Sequence, residues 1–261
     1  MVHLFTADRP FIPREVFNDR NFSSALVMMF FVGMVLLASS ALLAPYLQNL
    51  GNYPVYDAGM VMAPRGGGTM LAMLVAGRIG PRIDQRMMVA VGLLTLSGTL
   101  YAMSGWTPDV APHELMVVIF IQGVSMGLIF NPMQVLAFST LAPTLRGSAT
   151  SMLSLCRNLG AAIGVSVTSF MLVQNEQVSH ADLAAVATPF NRLLAAPGAI
   201  GQWLDPATTR GAGLLDAMIN RQALIIAYAD DYRMMTLVAL TPMLLLFLMR
   251  RHRRPAPAAG D

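Results

Sequence analysis

The chain is divided into apolar runs, each about as long as the path across a lipid bilayer. Residues 58–77, for example, form about twenty mostly apolar residues, and at about 1.5 Å per helical residue this run matches a hydrocarbon thickness of about 30 Å. Backbone polar groups find no partner in lipid, so such a run folds as an α-helix. Hydrophobic residues make up 55% of the chain and charged residues 12%, which excludes an ordinary soluble domain.

Six runs of this kind predict the organisation of the chain. Residues 1–21 form a cytoplasmic or interfacial N-terminal segment. Five spans follow within residues 22–173, at about 22–47, 58–77, 87–104, 115–141 and 149–173. A long external loop at 174–221 leads to a sixth span at 222–249, and residues 250–261 form a basic tail. The sequence therefore predicts an all-α membrane protein with six transmembrane helices in one bundle.

Arginines predict the orientation of the bundle, because basic loops stay on the cytoplasmic side. The arginines assigned to the inside are Arg9, Arg14, Arg20, Arg78, Arg82, Arg86, Arg146, Arg250, Arg251, Arg253 and Arg254, and those outside are Arg192, Arg210 and Arg221. Both termini are therefore predicted to be cytoplasmic. The net charge of +3 lies mostly in short loops between apolar runs, so we expect no nucleic acid partner.

Two arginines lie deep within predicted spans. Arg65 and Arg157 are each about nine residues into their runs, which places them roughly 14 Å deep and near the bilayer midplane. A buried cation without an anion costs several kcal/mol. The carboxylates near the spans are all predicted to lie at outer ends: Asp57, Glu114, Asp230 and Asp231. One interpretation is that the two arginines reach water or the carbonyls of a broken helix. The other is that they line a polar cavity whose opposite wall is not part of this sequence.

Small and polar residues within the spans indicate close helix packing and contact with other helices or water. The predicted helix-packing glycines are Gly66, Gly67, Gly68, Gly123, Gly127, Gly160 and Gly164. The polar residues of the fourth and fifth spans include Gln122, Asn131 and Asn158. Asn131 precedes Pro132, where we expect a kink in the fourth span.

One catalytic motif is present in the sequence but lies in the wrong context. Residues 123–127 read GVSMG and match G-x-S-x-G, which in hydrolases needs a strand-to-helix turn and a histidine base. Here the motif lies inside an apolar helix. All four histidines lie in termini or predicted external segments: His3, His113, His180 and His252. We therefore predict no catalytic residue, no metal site and no cofactor.

Four motifs, in this order and spacing, resemble a known family. They are AG-x4-PRG at 58–66, GRIGPR at 77–82, QG-x3-G-x4-P at 122–132 and RNLG-x3-G at 157–164. Together they resemble the C-terminal part of the fourteen-helix drug:proton antiporters of the EmrB/QacA type, within the major facilitator superfamily. The resemblance covers nearly the whole chain, from residues 11–13 through the loop with His180 to residues 228–231.

This resemblance implies the C-terminal half of a major facilitator superfamily transporter. Such transporters alternate access between two six-helix bundles. The implied function is proton-coupled multidrug efflux, which exports apolar or amphipathic compounds. The implied location is the bacterial inner membrane. The resemblance also assigns a cytoplasmic loop motif that latches the bundles, formed by Gly77, Arg78, Arg82, Asp84 and Arg86.

The resemblance further implies a site and its partners. Arg65, Gln122, Asn131, Arg157 and Asn158 are expected to face the substrate cavity or the missing N-terminal bundle, which usually carries the proton-coupled carboxylate. Other implied partners are the lipid bilayer, a small apolar or amphipathic substrate, protons, and a periplasmic membrane-fusion adaptor at the 174–221 loop. The alternatives are a six-helix membrane scaffold or repurposed fragment without transport activity, and an intramembrane enzyme.

Overall fold

A computed structural model of the chain describes residues 19–186 and 208–246, and all regular secondary structure in these ranges is helical. The helices are α1 Arg20–Pro45 with a π-helical turn Tyr46–Leu50, α2 Val55–Met62, α3 Pro64–Ile79, α4 Gln85–Met103, α5 Pro112–Phe138, a 3₁₀ turn Pro143–Leu145, α6 Arg146–Val186 and α7 Thr209–Leu246. The predicted all-α fold is confirmed. Most of the predicted segment 1–21, the predicted tail 250–261 and the middle of the predicted 174–221 loop lie outside the described residues.

Four helical stretches are long and apolar enough to cross a membrane: Arg20–Leu50, Gln85–Met103, Pro112–Phe138 and Pro143–Val186. The second and sixth predicted spans are not among them. The sixth lies in α7, whose described part ends at Leu246 and contains Asp230, Asp231 and Arg233. The second is broken at Ala63 into helices of 8 and 16 residues. Pro64 causes the break, since proline has no N–H for the helix ladder. Ala63 keeps helical angles of φ −57° and ψ −36°, so α2 and α3 form one interrupted helix.

Helices α6 and α7 extend well beyond the runs predicted from hydropathy. They contain 41 and 38 residues, about 61 Å and 57 Å, or roughly twice the hydrocarbon thickness. Residues 174–186 and 209–221 are therefore helical, and not irregular as the predicted loop suggested. Residues 174–186 contain no glycine or proline, so the helix continues after the apolar pattern ends.

The helices pack as interlocking pairs. α1 lies against α6, α3 and α4 both lie against α5, and α7 contacts α1, α4 and α6. Apolar side chains from α1, α4, α5 and α7 fill the interior, including Phe22, Leu43, Leu93, Ile129 and Met235. The chain therefore forms one connected bundle around a single core.

Glycines bring several of these helices into backbone contact. Gly68, Gly123 and Gly127 lie at the α3–α5 crossing, and a Cβ added to Gly123 would be 2.9 Å from the Arg65 carbonyl carbon. Gly160 and Gly164 lie at the α1–α6 crossing, where a Cβ on Gly164 would be 2.7 Å from the Met34 Cα. Small residues permit such close approach.

Two of the seven predicted packing glycines differ from the rest. Gly66 and Gly67 have open space within 4 Å of the position of a Cβ, so they make no close contact with another helix of the described chain.

Two packing glycines were absent from the prediction. Gly33 meets the Arg157 backbone on α6, and Gly92 lies where a Cβ would be 2.7 Å from the Ile129 side chain.

Candidate functional site

Arg65 lies in the first turn of α3, directly after the break at Ala63, and its guanidinium reaches across to α1. Nη1 donates to the Ser40 hydroxyl, and Nη2 donates to the Ser39 hydroxyl at 3.1 Å. Ser40 in turn donates to the Leu36 carbonyl at 3.0 Å. The deep arginine is thus held by hydroxyls, a set of partners that the sequence analysis did not consider. The adjacent serines in the apolar run of α1 were the available signal.

Beside Arg65 lies an apolar cavity of about 600 Å³. Its lining residues are Arg65, Gly66, Thr69, Met70, Met73, Leu74 and Met126. The cavity is a shallow groove that is open over most of one side, where Met70 and Leu74 are exposed. Its size falls within the range of small-molecule sites, and methionines adapt to ligands of varied shape. The chemistry suits an apolar compound with one polar or anionic group beside the guanidinium.

Aromatic side chains close one end of the bundle, which we call the aromatic end. The Tyr46 ring lies 5.4 Å from the Tyr228 ring in an edge-on contact and 5.9 Å from the Trp106 ring. The Tyr46 hydroxyl donates to the Thr107 carbonyl at 3.1 Å. These contacts tie the ends of α1 and α4 to α7. Ser40, six residues before Tyr46, lies about 9 Å deeper along α1.

Asp231 lies one helical turn below this aromatic layer and is fully buried. Its Oδ1 accepts a hydrogen bond from Asn175 Nδ2 on α6 at 3.3 Å, whereas Oδ2 has no hydrogen-bond partner. The adjacent Tyr232 is also fully buried, and its hydroxyl has no partner. The sequence predicts Asp231 at the outer end of its span, but it does not predict that the side chain is buried between α6 and α7.

Gln122 is fully buried on α5 and does not line the cavity beside Arg65. Its Nε2 lies 3.8 Å from the Met103 sulfur on α4, and its Oε1 has no hydrogen-bond partner. Ser125, the serine of the GVSMG motif, is fully buried within α5 and donates to the Gln122 carbonyl at 2.6 Å. The motif is therefore a helix segment and not a strand-to-helix turn.

Arg157, Asn158 and Asn131 lie in three other environments. The Arg157 guanidinium is 5.9 Å from the centroid of the Phe130 ring, in a cation–π arrangement, and it borders a small cleft of about 30 Å³ with Gln134. Asn158 is exposed on α6. Asn131 lines a different pocket at the opposite end of the bundle from the aromatic layer. The five predicted site residues therefore do not share one cavity.

The predicted loop motif forms much of that second pocket, which has a volume of about 870 Å³. Its lining residues are Ala76, Gly77, Gly80, Pro81, Arg82, Ile83, Asp84, Gln85, Asn131 and Val135. Asp84 caps α4 by accepting from the Arg86 N–H at 3.1 Å, and Gln85 Nε2 donates to the Gly80 carbonyl at 2.7 Å. Arg78 and Arg82 are exposed, so the loop presents positive charge at this end.

Comparison with known proteins places these features in a family. A sequence profile of the Major Facilitator Superfamily matches residues 4–165. The chain is 27% identical over 187 residues to the multidrug export protein EmrB of Haemophilus influenzae, covering 71% of this chain and 37% of the relative. It is 26% identical over 259 residues to the probable multidrug resistance protein EmrY of Escherichia coli, covering 98% of this chain and 49% of the relative.

A solved structure supports the same fold. The crystal structure of a bacterial homolog to the human lysosomal transporter Spinster, in an inward-facing and unoccupied conformation, superposes with a TM-score of 0.65 at 18% sequence identity. The match covers 94% of this chain and 52% of that chain. In each of these comparisons the chain spans about half, or less, of the length of the protein that it matches.

Proposed function

Because the chain belongs to the major facilitator superfamily, we propose that it is the C-terminal half of a proton-coupled multidrug transporter. In this proposal the complete transporter exports apolar or amphipathic compounds by alternating access across the bacterial inner membrane. The names of the relatives, which are multidrug export and multidrug resistance proteins, support this substrate class. The coverage of about half of each relative supports a second bundle that works with a first.

The observation that carries the proposal is the cavity beside Arg65. It combines methionine walls with one guanidinium held in place by Ser39 and Ser40, and it opens to the side of the bundle. Buried cations in membrane proteins usually mark substrate or ion pathways. A cavity open on one side gains its second wall when another bundle packs against it.

The surface of α3 around this opening supports a first bundle as that wall. Gly66, Gly67 and Gly77 have open space around the position of a Cβ, and the neighbouring Met70 and Leu71 are exposed. Exposed glycines give lipid little to pack against, but they let another helix approach closely. We propose that this face of α3 contacts the first bundle.

The remaining assignments follow from the same proposal. Asn131, Arg157 and Asn158 lie outside the cavity, and in this proposal they face the first bundle. Gln122 is fully buried, so it acts only through its neighbours on α4 and α5. We propose that the loop motif at 77–86 latches the two bundles at the cytoplasmic end and, from the distribution of arginines, that both termini lie in the cytoplasm. The helical extensions at 174–186 and 209–221 project from the other side of the membrane, where they are available to a membrane-fusion adaptor.

The first experiment is to sequence the DNA upstream of the Met1 codon and to express the chain with whatever first portion is found there. Cells without their own multidrug pumps then report efflux through the accumulation of a fluorescent lipophilic compound that carries an uncharged polar or an anionic group. We expect efflux with both portions together and none with the chain alone. If no first portion is encoded nearby and the purified chain is a stable oligomer without transport, the six-helix scaffold is the correct alternative.

A further inference from the structure

Asp231 is the one fully buried carboxylate in residues 19–186 and 208–246, and nothing assigned so far uses it. Its Oδ1 accepts from Asn175 on α6, and its Oδ2 is buried without a hydrogen-bond partner. Asp230, the preceding residue, pairs with Arg233 at 3.0 Å and is 44% exposed. Two neighbouring aspartates therefore have opposite environments, one neutralised at the surface and one buried without a cation within salt-bridge distance.

Asn175 of α6 contacts Asp231 directly, and Tyr228, Asp230 and Tyr232 of α7 are its charged or titratable neighbours on its own helix. Farther groups face these neighbours and not Asp231 itself: Glu176 of α6 lies near Tyr228, Tyr46 of α1 and Arg65 of α3 lie near Tyr232, and Arg233 pairs with Asp230. From α4, Ser97 reaches α7 by donating to the Thr236 carbonyl at 3.2 Å. The cations in this set do not pair with Asp231: Arg65 is held by two serines, and Arg233 is held by Asp230.

A buried carboxylate ion that lacks a cation costs several kcal/mol, and uptake of a proton removes its charge. Other cations fit the site poorly. Asp231 lines none of the three cavities described above, so it offers no room for a drug-sized cation. Ca²⁺ takes six to eight oxygen ligands, whereas no three His, Cys, Asp or Glu residues gather anywhere in the described chain. A proton needs only the free lone pair of Oδ2.

We propose that Asp231 is a proton-exchange site located between α6 and α7. A hydronium ion from water at the aromatic end transfers its proton to Oδ2, which leaves water and a neutral carboxylic acid. The acid later returns the proton to water on the other side, which regenerates the carboxylate. The use of this proton for transport rests on the proposed function, but the protonation itself does not.

Infrared difference spectroscopy of the full chain in lipid nanodiscs tests the protonation directly. A protonated buried carboxyl gives a C=O stretching band that shifts in D₂O and disappears on deprotonation. We expect the band in the unmodified chain and in the Asp230→Asn control, and its loss in Asp231→Asn. Retention of the band in Asp231→Asn, or the absence of such a band from the unmodified chain across the titration, would overturn the proposal.

A second variant separates proton exchange from a purely structural role. Asn175→Ala removes the hydrogen bond to Oδ1, and a carbonyl that loses a donor absorbs at higher frequency. We therefore expect the band to remain and to move upward, and a band that does not move would contradict the assignment to Asp231. This variant also reports on the site if Asp231→Asn fails to fold.

Transport measurements then separate this inference from the proposed function. In vesicles containing the complete transporter, Asp231→Asn should abolish uptake driven by a pH gradient and retain exchange of substrate across the membrane, while Asp230→Asn keeps both. Gradient-driven uptake by Asp231→Asn at the unmodified rate would refute the role in coupling. If no variant transports anything, the proposed function fails, and the infrared band still decides whether Asp231 binds a proton.

Discussion

Replacement of Gly123 by alanine should weaken the contact between α3 and α5 that supports the cavity. Gly123 lies under the Arg65 backbone, and an added Cβ would be 2.9 Å from the Arg65 carbonyl carbon and closer still to its oxygen. Carbon atoms make ordinary contact at about 3.5–4.0 Å. The two helices must therefore separate by about 0.6 Å or more, because the obstructing atoms are backbone and cannot rotate away.

The cost can be estimated from the behaviour of overpacked cores, in which one extra methylene costs typically about 1–3 kcal/mol. Alanine gains up to about 1 kcal/mol over glycine in a helix interior, which offsets part of this cost. For a chain of this size, 1 kcal/mol corresponds to roughly 2–4 °C in Tm. Because the obstructing atoms are backbone, the upper part of the overpacking range, about 2–3 kcal/mol, applies. Less about 1 kcal/mol of helix propensity, this leaves about 1–2 kcal/mol, so we expect Gly123→Ala to lower the Tm by roughly 2–8 °C.

Gly67→Ala is the matched control, because it adds the same methyl group to α3 where nothing lies within 4 Å of the new Cβ. Thermal unfolding of the purified chain in one detergent, followed by circular dichroism, measures both variants. The control should retain or raise the Tm, since it gains helix propensity without a clash. Equal Tm values for the two variants would refute the close approach of α3 and α5 at Gly123.

Three further changes test other contacts. Asp84→Ala removes the cap of α4 and should destabilise the purified chain by about 0.5–2 kcal/mol in denaturant unfolding, whereas Asp84→Asn keeps an accepting oxygen and should lose less. Replacing Ser39 and Ser40 together by alanine removes both hydroxyls that hold the Arg65 guanidinium. Substrate binding to the complete transporter should then weaken by about tenfold or more, and an unchanged affinity would show that the two serines do not position Arg65 for binding. Arg157→Ala in the complete transporter should lower efflux while expression stays constant, and unchanged efflux at equal expression would remove Arg157 from the site.

Much of the fold could be predicted because the bilayer restricts the possible structures. Hydrophobic runs of fixed length identify helices, and Pro64 indicates where the second span is interrupted. The extensions of α6 and α7 were missed because hydropathy reports where lipid ends and not where a helix ends. Residues 174–186 are polar but helix-favouring, and the predicted loop boundary followed their polarity.

The site was harder to predict because its residues meet only through packing. The position of Arg65 within its apolar run predicts that it lies deep in the membrane. Its partners Ser39 and Ser40 lie on a different helix, so the sequence does not identify them. The burial of Asp231 likewise depends on a contact between helices, the hydrogen bond from Asn175 on α6. Which face of a helix points inward depends on its neighbours, and a sequence alone does not rank those faces when all are apolar.

The most direct test of the account is uptake of a fluorescent lipophilic compound into inside-out vesicles that contain the complete transporter and carry an imposed pH gradient. We predict uptake that stops when the gradient is collapsed and that is strongly reduced by Arg65→Gln, which removes the cation beside the cavity. The Arg146→Gln control, at an exposed arginine that starts α6 and belongs neither to the cavity nor to the loop motif, should leave uptake unchanged. Uptake that does not depend on the pH gradient would contradict proton-coupled transport. Equal uptake by Arg65→Gln and the unmodified protein would contradict the assignment of the cavity beside Arg65 as the substrate site.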